Sequence, residues 1–271
     1  MTWKSNFYHQ FYGPSTGRKW VFLHGLMGNS ANWRKIISGL EETENCFVYD
    51  QRGHGRSFQP EQGYAAENYA EDLYKILLEI GWQQINLVGH SMGGRNALAF
   101  AAKYPQMIQS LMIEDIGPIP NIDAIAYYEN LLNQVPTPFA HRQIARDFML
   151  REYPKRIQTK EKPETIAMFL YTNLHELPNG TVDWRFYKPG ILASVIQGRS
   201  QEWWSIIEQL QMPTLWIRGE NSNDLPREVY LQILEKNKII QGVEIHNSGH
   251  WVHIDQPDLF VKVIKDFVDG R

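Results

Sequence analysis

Short, largely apolar runs recur through the first 115 residues, and each ends in glycine or polar residues. The run at 20–23 stops at His24-Gly25, and that at 46–49 at Asp50-Gln51-Arg52-Gly53. The run at 85–88 stops at Gly89-His90-Ser91, and that at 110–114 at Asp115-Ile116-Gly117-Pro118. Runs without polar alternation suit strands covered on both faces, as in a parallel sheet. Between them the apolar period lengthens to that of a helix. Tyr69, Leu73, Ile76, Leu77 and Ile80 form one stripe closed by Gly81, and an alanine-rich segment spans 96–102. A further helix is predicted over 33–40, with Asn29 or Ser30 as its cap. Residues 2–12, where aromatic and polar residues roughly alternate, suit an antiparallel edge strand or hairpin. The alternation predicts an α/β fold: an open, mostly parallel sheet with helices on both faces. In such sheets the site lies outside the C-terminal ends of the strands.

The pattern changes at about Pro118. Helical stretches are predicted at 125–132, 142–151, 163–174 and 191–196, without strands between them. Prolines punctuate the segment and aromatics are frequent in it. Such an insertion reads as a helical cap over 118–199, set into an α/β core formed by 1–117 and 200–271. The core pattern resumes with a helix at 200–210, a strand at 213–218, a helix at 227–236 and a strand near 243–245. A last helix is expected over 257–268.

Composition narrows the partners. The chain has 271 residues and a formal charge of −3, so no basic field for nucleic acid is present. Cys46 is the only cysteine, which excludes an intrachain disulfide, and its apolar surroundings read as core. No secretory h-region is visible at the start, and no apolar stretch approaches the ~20 residues of a membrane helix. The expectation is a cytoplasmic protein with no membrane partner. No phosphate-binding Gly-x-x-x-x-Gly-Lys-Ser/Thr occurs, and no Gly-x-Gly-x-x-Gly follows the first strand, so no cofactor is expected.

The chemistry must then come from side chains. Gly89-His90-Ser91-Met92-Gly93 joins a strand to a helix within a few residues, which only a strained bend with small neighbours permits. This is the pattern of a nucleophile elbow, with Ser91 at its apex. A serine needs a base and a carboxylate to orient that base. His250, in the loop after the last strand, is the candidate base. Asp115 and Asp224 both follow strands in the right chain order, and Asp115 is preferred. Three residues after Gly219, where an acid would stand, the chain has Ser222, so Ser222 is expected beside the histidine in support. Oxyanion donors are expected from the backbone N–H of Met92, next to the nucleophile, and of Leu26, after His24-Gly25. His250, His253 and Asp255 have the spacing of a loose metal cluster but no established ligand geometry, and no metal is expected.

Taken together, His24-Gly25-Leu26-Met27-Gly28, the segment Asp50 to Ser57, Gly89 to Gly94, and Gly249-His250-Trp251-Val252-His253 resemble the α/β-hydrolase fold family over essentially the whole chain. Within it the chain looks most like small bacterial serine esterases and thioesterases. In these the acid follows the strand counted sixth, where the cap is also inserted, and a Gly-x-Asn-Ser loop replaces the usual acid loop. The resemblance implies Ser91, Asp115 and His250 as the working set, with Ser222 beside them. Two departures stand out: the oxyanion loop lacks the proline that follows His-Gly in many relatives, and Arg95 is similar to the Ser-x-Gly-Gly-Arg of a menaquinone-pathway synthase. The expected activity is hydrolysis of a small-molecule carboxylic ester or thioester through an acyl-enzyme. Rival readings are a C–C bond hydrolase or a lyase using the same triad, and a non-catalytic protein that binds a ligand under the cap.

Overall fold

In the computed structural model, which describes residues 3–159 and 162–270, the apolar runs become the inner strands of one sheet. In chain order these are β1 (His9–Tyr12), β2 (Lys19–Leu23), β3 (Asn45–Tyr49), β4 (Ile85–His90) and β5 (Ile108–Glu114). Next come β6 (Leu174–Glu176), β7 (Val182–Trp184), β8 (Thr214–Gly219) and β9 (Ile240–Ile245). Seven of them form the sheet, in the order β1-β3-β2-β4-β5-β8-β9. β1 is the antiparallel edge strand, and every other pairing in this sheet is parallel. The strand reckoned sixth in the family expectation is β5, the fifth in this chain.

Alternate residues of each inner strand serve opposite cores. Val21, Leu23, Phe47, Leu87, Leu111, Ile113 and Trp216 pack on one face, against the helices Ala66–Ile80, Met92–Lys103 and Arg227–Lys236. Trp20, Phe22, Cys46, Val48, Val88, Met112 and Leu215 pack on the other, against Arg34–Ser38 and Pro257–Asp269. Both faces are therefore apolar, which is why these strands lack a period-two signal. Gly81 caps the first of those helices in the left-handed region (φ 73°), as the stripe ending there predicts. Cys46 is buried, as expected.

Between β5 and β8 the chain forms the helices Asp123–Asn133, Arg142–Asp147, Pro163–Thr172 and Lys188–Arg199. It also forms an antiparallel hairpin of β6 and β7, which the expectation of an all-helical insertion missed. Two strands of three residues each are too short to carry a readable period. The helix predicted over 200–210 is shorter, Trp204–Gln209. The helix predicted over 33–40 is the shorter Arg34–Ser38, preceded by a 3₁₀ turn, Ser30–Trp33, that Asn29 caps. The insertion has its own core, including Leu132, Tyr153, Leu170 and Ile191, and that core takes in Met27 from the loop after β2.

The sheet reverses its winding between β2 and β4: β3 lies on one side of this pair and β5 on the other. Leu23 pairs with Gly89, and His90 with Glu114. The loops leaving β2, β4 and β5 therefore emerge side by side at the switch point, where ligands bind in open α/β sheets. Trp216 in β8 braces this edge, its Nε1–H donating to the Ile116 carbonyl at 3.0 Å with both residues buried. Trp216→Phe, which leaves that carbonyl without its donor, is expected to cost about 1–3 kcal/mol in chemical denaturation. An unchanged midpoint would show that the brace carries no load.

Candidate active site

Ser91 stands between β4 and the helix Met92–Lys103 with φ 52° and ψ −118°, a conformation that non-glycine residues rarely adopt. Its neighbours explain how the bend closes. A Cβ on Gly93 would lie 2.2 Å from the Leu23 carbonyl oxygen, and one on Gly89 would lie 2.4 Å from that of Gly93. Both contacts are with backbone, which cannot yield. The Ser91 N–H donates to the Glu114 carbonyl at 3.1 Å, tying the bend to β5.

Asp115, the next residue after β5, also has a left-handed φ, 52°. The His250 Nδ1–H donates to Asp115 Oδ2 at 2.8 Å. The same oxygen accepts the Ser222 hydroxyl, and Oδ1 accepts the Gly219 N–H at 3.0 Å. Asp224 Oδ2 lies 3.7 Å from His250 Nδ1, while its Oδ1 accepts Arg199 Nη2–H at 3.3 Å. The structure thus gathers Asp115, Ser222, Asp224 and His250, with Asp115 holding the hydrogen bond. Burial pushes the Asp115 carboxyl up, against the pull of His250 and its other donors. Burial pushes His250 down, but Asp224 and Asp115 outweigh it and raise the imidazole to about 9. Burial also opposes ionisation of Asp224, but His250 and Arg199 hold its carboxyl down to about 2.

The loop after β2 passes against Ser91 because Gly25 has no side chain: a Cβ there would lie 2.6 Å from His90 Nδ1. Two buried histidines hold this loop. His24 Nε2 accepts the Gln51 N–H at 2.9 Å and its Nδ1–H donates to the Gly25 carbonyl. His54 Nε2 accepts the Met27 N–H at 3.2 Å, with Nδ1–H donating to Arg52. Burial lowers them to about 4 and about 3, so both are neutral at physiological pH and can accept at Nε2. Gln51 Nε2 also donates to the His24 carbonyl, and Asn96 Nδ2 donates to Gln51 Oε1, each at 2.8 Å. Met27 takes φ 58° in this loop. Among the described residues no protein acceptor takes the Leu26 N–H. The Met92 N–H opens a helix and has no intrahelical acceptor by position.

His250, His253 and Asp255 do not form the cluster their spacing suggests. Asp255 Oδ2 accepts the Gly249 N–H, whereas His253 Nδ1–H donates to Glu114 at 2.8 Å. The histidines and carboxylate that gather are His90, Glu114 and His253, all buried. Several of their polar atoms already face protein partners: both Glu114 oxygens take His253 Nδ1–H, and His90 Nε2–H donates to the His250 carbonyl at 2.9 Å, while the buried His253 Nε2 has no hydrogen-bond partner among the described residues. Burial lowers both histidines to about 3 and raises Glu114 to about 6. This cluster ties the His250 loop to β4 and β5. Glu114 and His253 are 139 positions apart, and nothing in the spacing marks them as partners.

Ser91 and His250 line one cavity of about 340 Å³, with Leu26, Tyr128, Phe169 and Trp251 among its walls. A side pocket of about 20 Å³ adjoins it, lined by Leu26, Ser91, Met92 and Arg95 among others. Among the described residues no helix is long and apolar enough to cross a membrane.

Comparison with known proteins agrees with the fold. The sequence profile of the alpha/beta hydrolase fold matches residues 21–257. The chain is 25% identical over 255 residues to 2-(acetamidomethylene)succinate hydrolase of Mesorhizobium japonicum, spanning 94% of this chain and 89% of that one. It is 29% identical over 271 residues to an sn-1-specific diacylglycerol lipase of Mus musculus, spanning 96% and 84%. A solved marine microorganism esterase superposes with a TM-score of 0.83 at 26% identity, over 97% of this chain and 99% of that one. The chain belongs to the alpha/beta hydrolase fold family, and these relatives are hydrolases.

The close approach at Gly25 yields a direct check. His90 is pinned to the His250 carbonyl and cannot retreat from an added methyl, so Gly25→Ala should displace the loop that carries Leu26. Labelling of Ser91 by a fluorophosphonate, followed by mass spectrometry, is expected to slow about 10²-fold, on the scale of losing one oxyanion donor. An unaltered rate would show that the loop position does not matter.

Proposed function

We propose that the protein is a serine hydrolase of carboxylic esters or thioesters working through an acyl-enzyme. The observation that carries this reading is the 2.8 Å His250–Asp115 hydrogen bond beside a cavity that Ser91, on its strained bend, also lines. Ser91 Oγ attacks the acyl carbonyl while His250 Nε2 takes its proton. Asp115 keeps the imidazole in the tautomer with Nδ1–H and stabilises the imidazolium. Ser222 and the Gly219 N–H keep Asp115 in place and ionised. Negative charge on the tetrahedral carbonyl oxygen is met by the N–H groups of Leu26 and Met92. His250 returns the proton to the leaving oxygen or sulfur, and water then releases the acyl group by the same steps in reverse. Residues 118–199 act as a cap, whose core reaches the oxyanion loop at Met27. The names of the relatives, a marine esterase and a diacylglycerol lipase among them, support an ester substrate.

Short 4-nitrophenyl esters and acyl-CoA thioesters should be hydrolysed, with the activity abolished in Ser91→Ala. No turnover of either class, together with no phosphonate labelling, would sink the proposal. Asp115→Asn is expected to lower kcat by about 10³–10⁴, the scale for an orienting carboxylate. Asp224→Asn should cost less than about tenfold at its plateau. An equal loss in the second variant would transfer the role to Asp224.

The two carboxylates also set the pH dependence. Neutral His250 is the working form, so kcat/KM must rise with pH as the imidazole loses its proton. A pKa raised to about 9 places that limb on the alkaline side of the ordinary histidine range. Removing the Asp224 charge favours the neutral ring, so Asp224→Asn should move the limb to lower pH. A limb that stays in place in this variant would refute the assignment.

A further inference from the structure

Arg95 lies one helical turn beyond Ser91, and its backbone N–H donates to the Ser91 carbonyl at 3.1 Å. Its side chain is only 6% exposed. Among the described residues its guanidinium makes no hydrogen bond and no ion pair within 4.0 Å. It lines the side pocket together with Ser91 and the two candidate oxyanion residues, Leu26 and Met92. Arg199, 8% exposed, lines the same pocket. Asp224 is paired with Arg199 and also faces His250; its charge reaches Arg95 too, but without an ion pair to it. Among the described residues no acidic one lines the side pocket, and Asp123, which lines the large cavity, is exposed.

A buried cation with no ion pair of its own, whose nearest carboxylate is shared with two other cations, is costly unless something else supplies negative charge. Burial and the neighbouring Arg199 outweigh the pull of Asp224 and push the Arg95 guanidinium down to about 9, so it remains charged at neutral pH. Its five donors form a rigid fork suited to two oxygens of one anionic group. His250 lines the large cavity and not the side pocket. The leaving oxygen must lie against His250 to take its proton, so the part of the substrate that reaches Arg95 is the acyl part.

We propose that the side pocket beside Ser91 is an anion subsite, in which Arg95 binds a carboxylate carried by the acyl group of the substrate. The substrate class is then a monoester or monothioester of a short dicarboxylic acid, with the large apolar cavity open to the leaving group. This rests on Ser91 being the acylated residue.

Monoethyl succinate and ethyl 4-methylpentanoate test it, because their acyl groups match in shape and differ in the carboxylate. Wild-type kcat/KM, read from ethanol released, should favour the succinate by about 10–10²-fold, the worth of a hydrogen bond to a charged group. The ratio should fall to about one in Arg95→Met and recover in part in Arg95→Lys. A wild-type ratio of one or less overturns the proposal, as does a ratio that survives in Arg95→Met. Succinate binding by calorimetry needs no turnover: it should be at least tenfold weaker in Arg95→Met than in wild type. If Arg95→Met does not fold, wild-type selectivity and tighter wild-type binding of succinate than of 4-methylpentanoate decide the matter. Binding that depends on Arg95 without hydrolysis of any ester would uphold the subsite and sink the hydrolase reading. Hydrolysis of neutral esters without preference for the succinate would do the reverse.

Discussion

Backbone crowding where β2 meets the bend after β4 governs the rest of the molecule. The Leu23 carbonyl stands where a Gly93 side chain would begin, and the Gly93 carbonyl stands where a Gly89 side chain would begin. Only with both glycines can the chain turn from strand to helix this tightly, and the turn leaves Ser91 in a strained conformation. That strain must be opposed by the surroundings. The parallel register of β2, β4 and β5, the Ser91 N–H bond to β5, and two apolar cores on opposite faces of the sheet supply the opposition. Asp115 leaves β5 with a similar left-handed residue. Ser91 and Asp115, the proposed nucleophile and acid, thus stand on residues fixed by backbone geometry.

Electrostatics then separates one histidine from the others nearby. His24, His54, His90 and His253 are buried and driven toward neutrality, so each can act as a fixed hydrogen-bonding strut. His250 is equally enclosed, yet it faces Asp115 and Asp224, and their charges more than offset its burial. Burial alone would have left five inert imidazoles around this sheet edge. The paired carboxylates favour the imidazolium, the form that the proposed general base would take up with its proton.

What the sequence made legible follows from the range of the interactions concerned. The elbow, the glycine of the oxyanion loop and the helix cap at Gly81 are demanded by local sterics, so they appear as short patterns. The supports of the site join residues far apart, such as Glu114 with His253 and Gln51 with Asn96, and leave no periodic trace. The same limit applies to the carboxylates. Asp115 and Asp224 both follow strands in the right order, and they differ by less than an ångström in their approach to His250. Pattern reading can nominate both, but only coordinates show which one holds the hydrogen bond. The β6–β7 hairpin was illegible for another reason: three-residue strands fall below the length at which alternation can be told from chance.

The division between sheet and insertion has a consequence for how such a site could change. Ser91, Asp115, Ser222 and His250 stand at or just beyond strand ends, where a shift of backbone would meet the crowding described above. The large cavity instead takes Tyr128, Phe169 and Leu170 from the insertion. Those side chains belong to or border a core that is separate from the two sheet cores. Substitution there can reshape the cavity while leaving the register of β2, β4 and β5 untouched. Arg95 is the exception, because its backbone belongs to the elbow helix and its N–H donates to the Ser91 carbonyl. The proposed anion subsite is thus built on the elbow helix, whereas the apolar walls can be redrawn around whatever group departs.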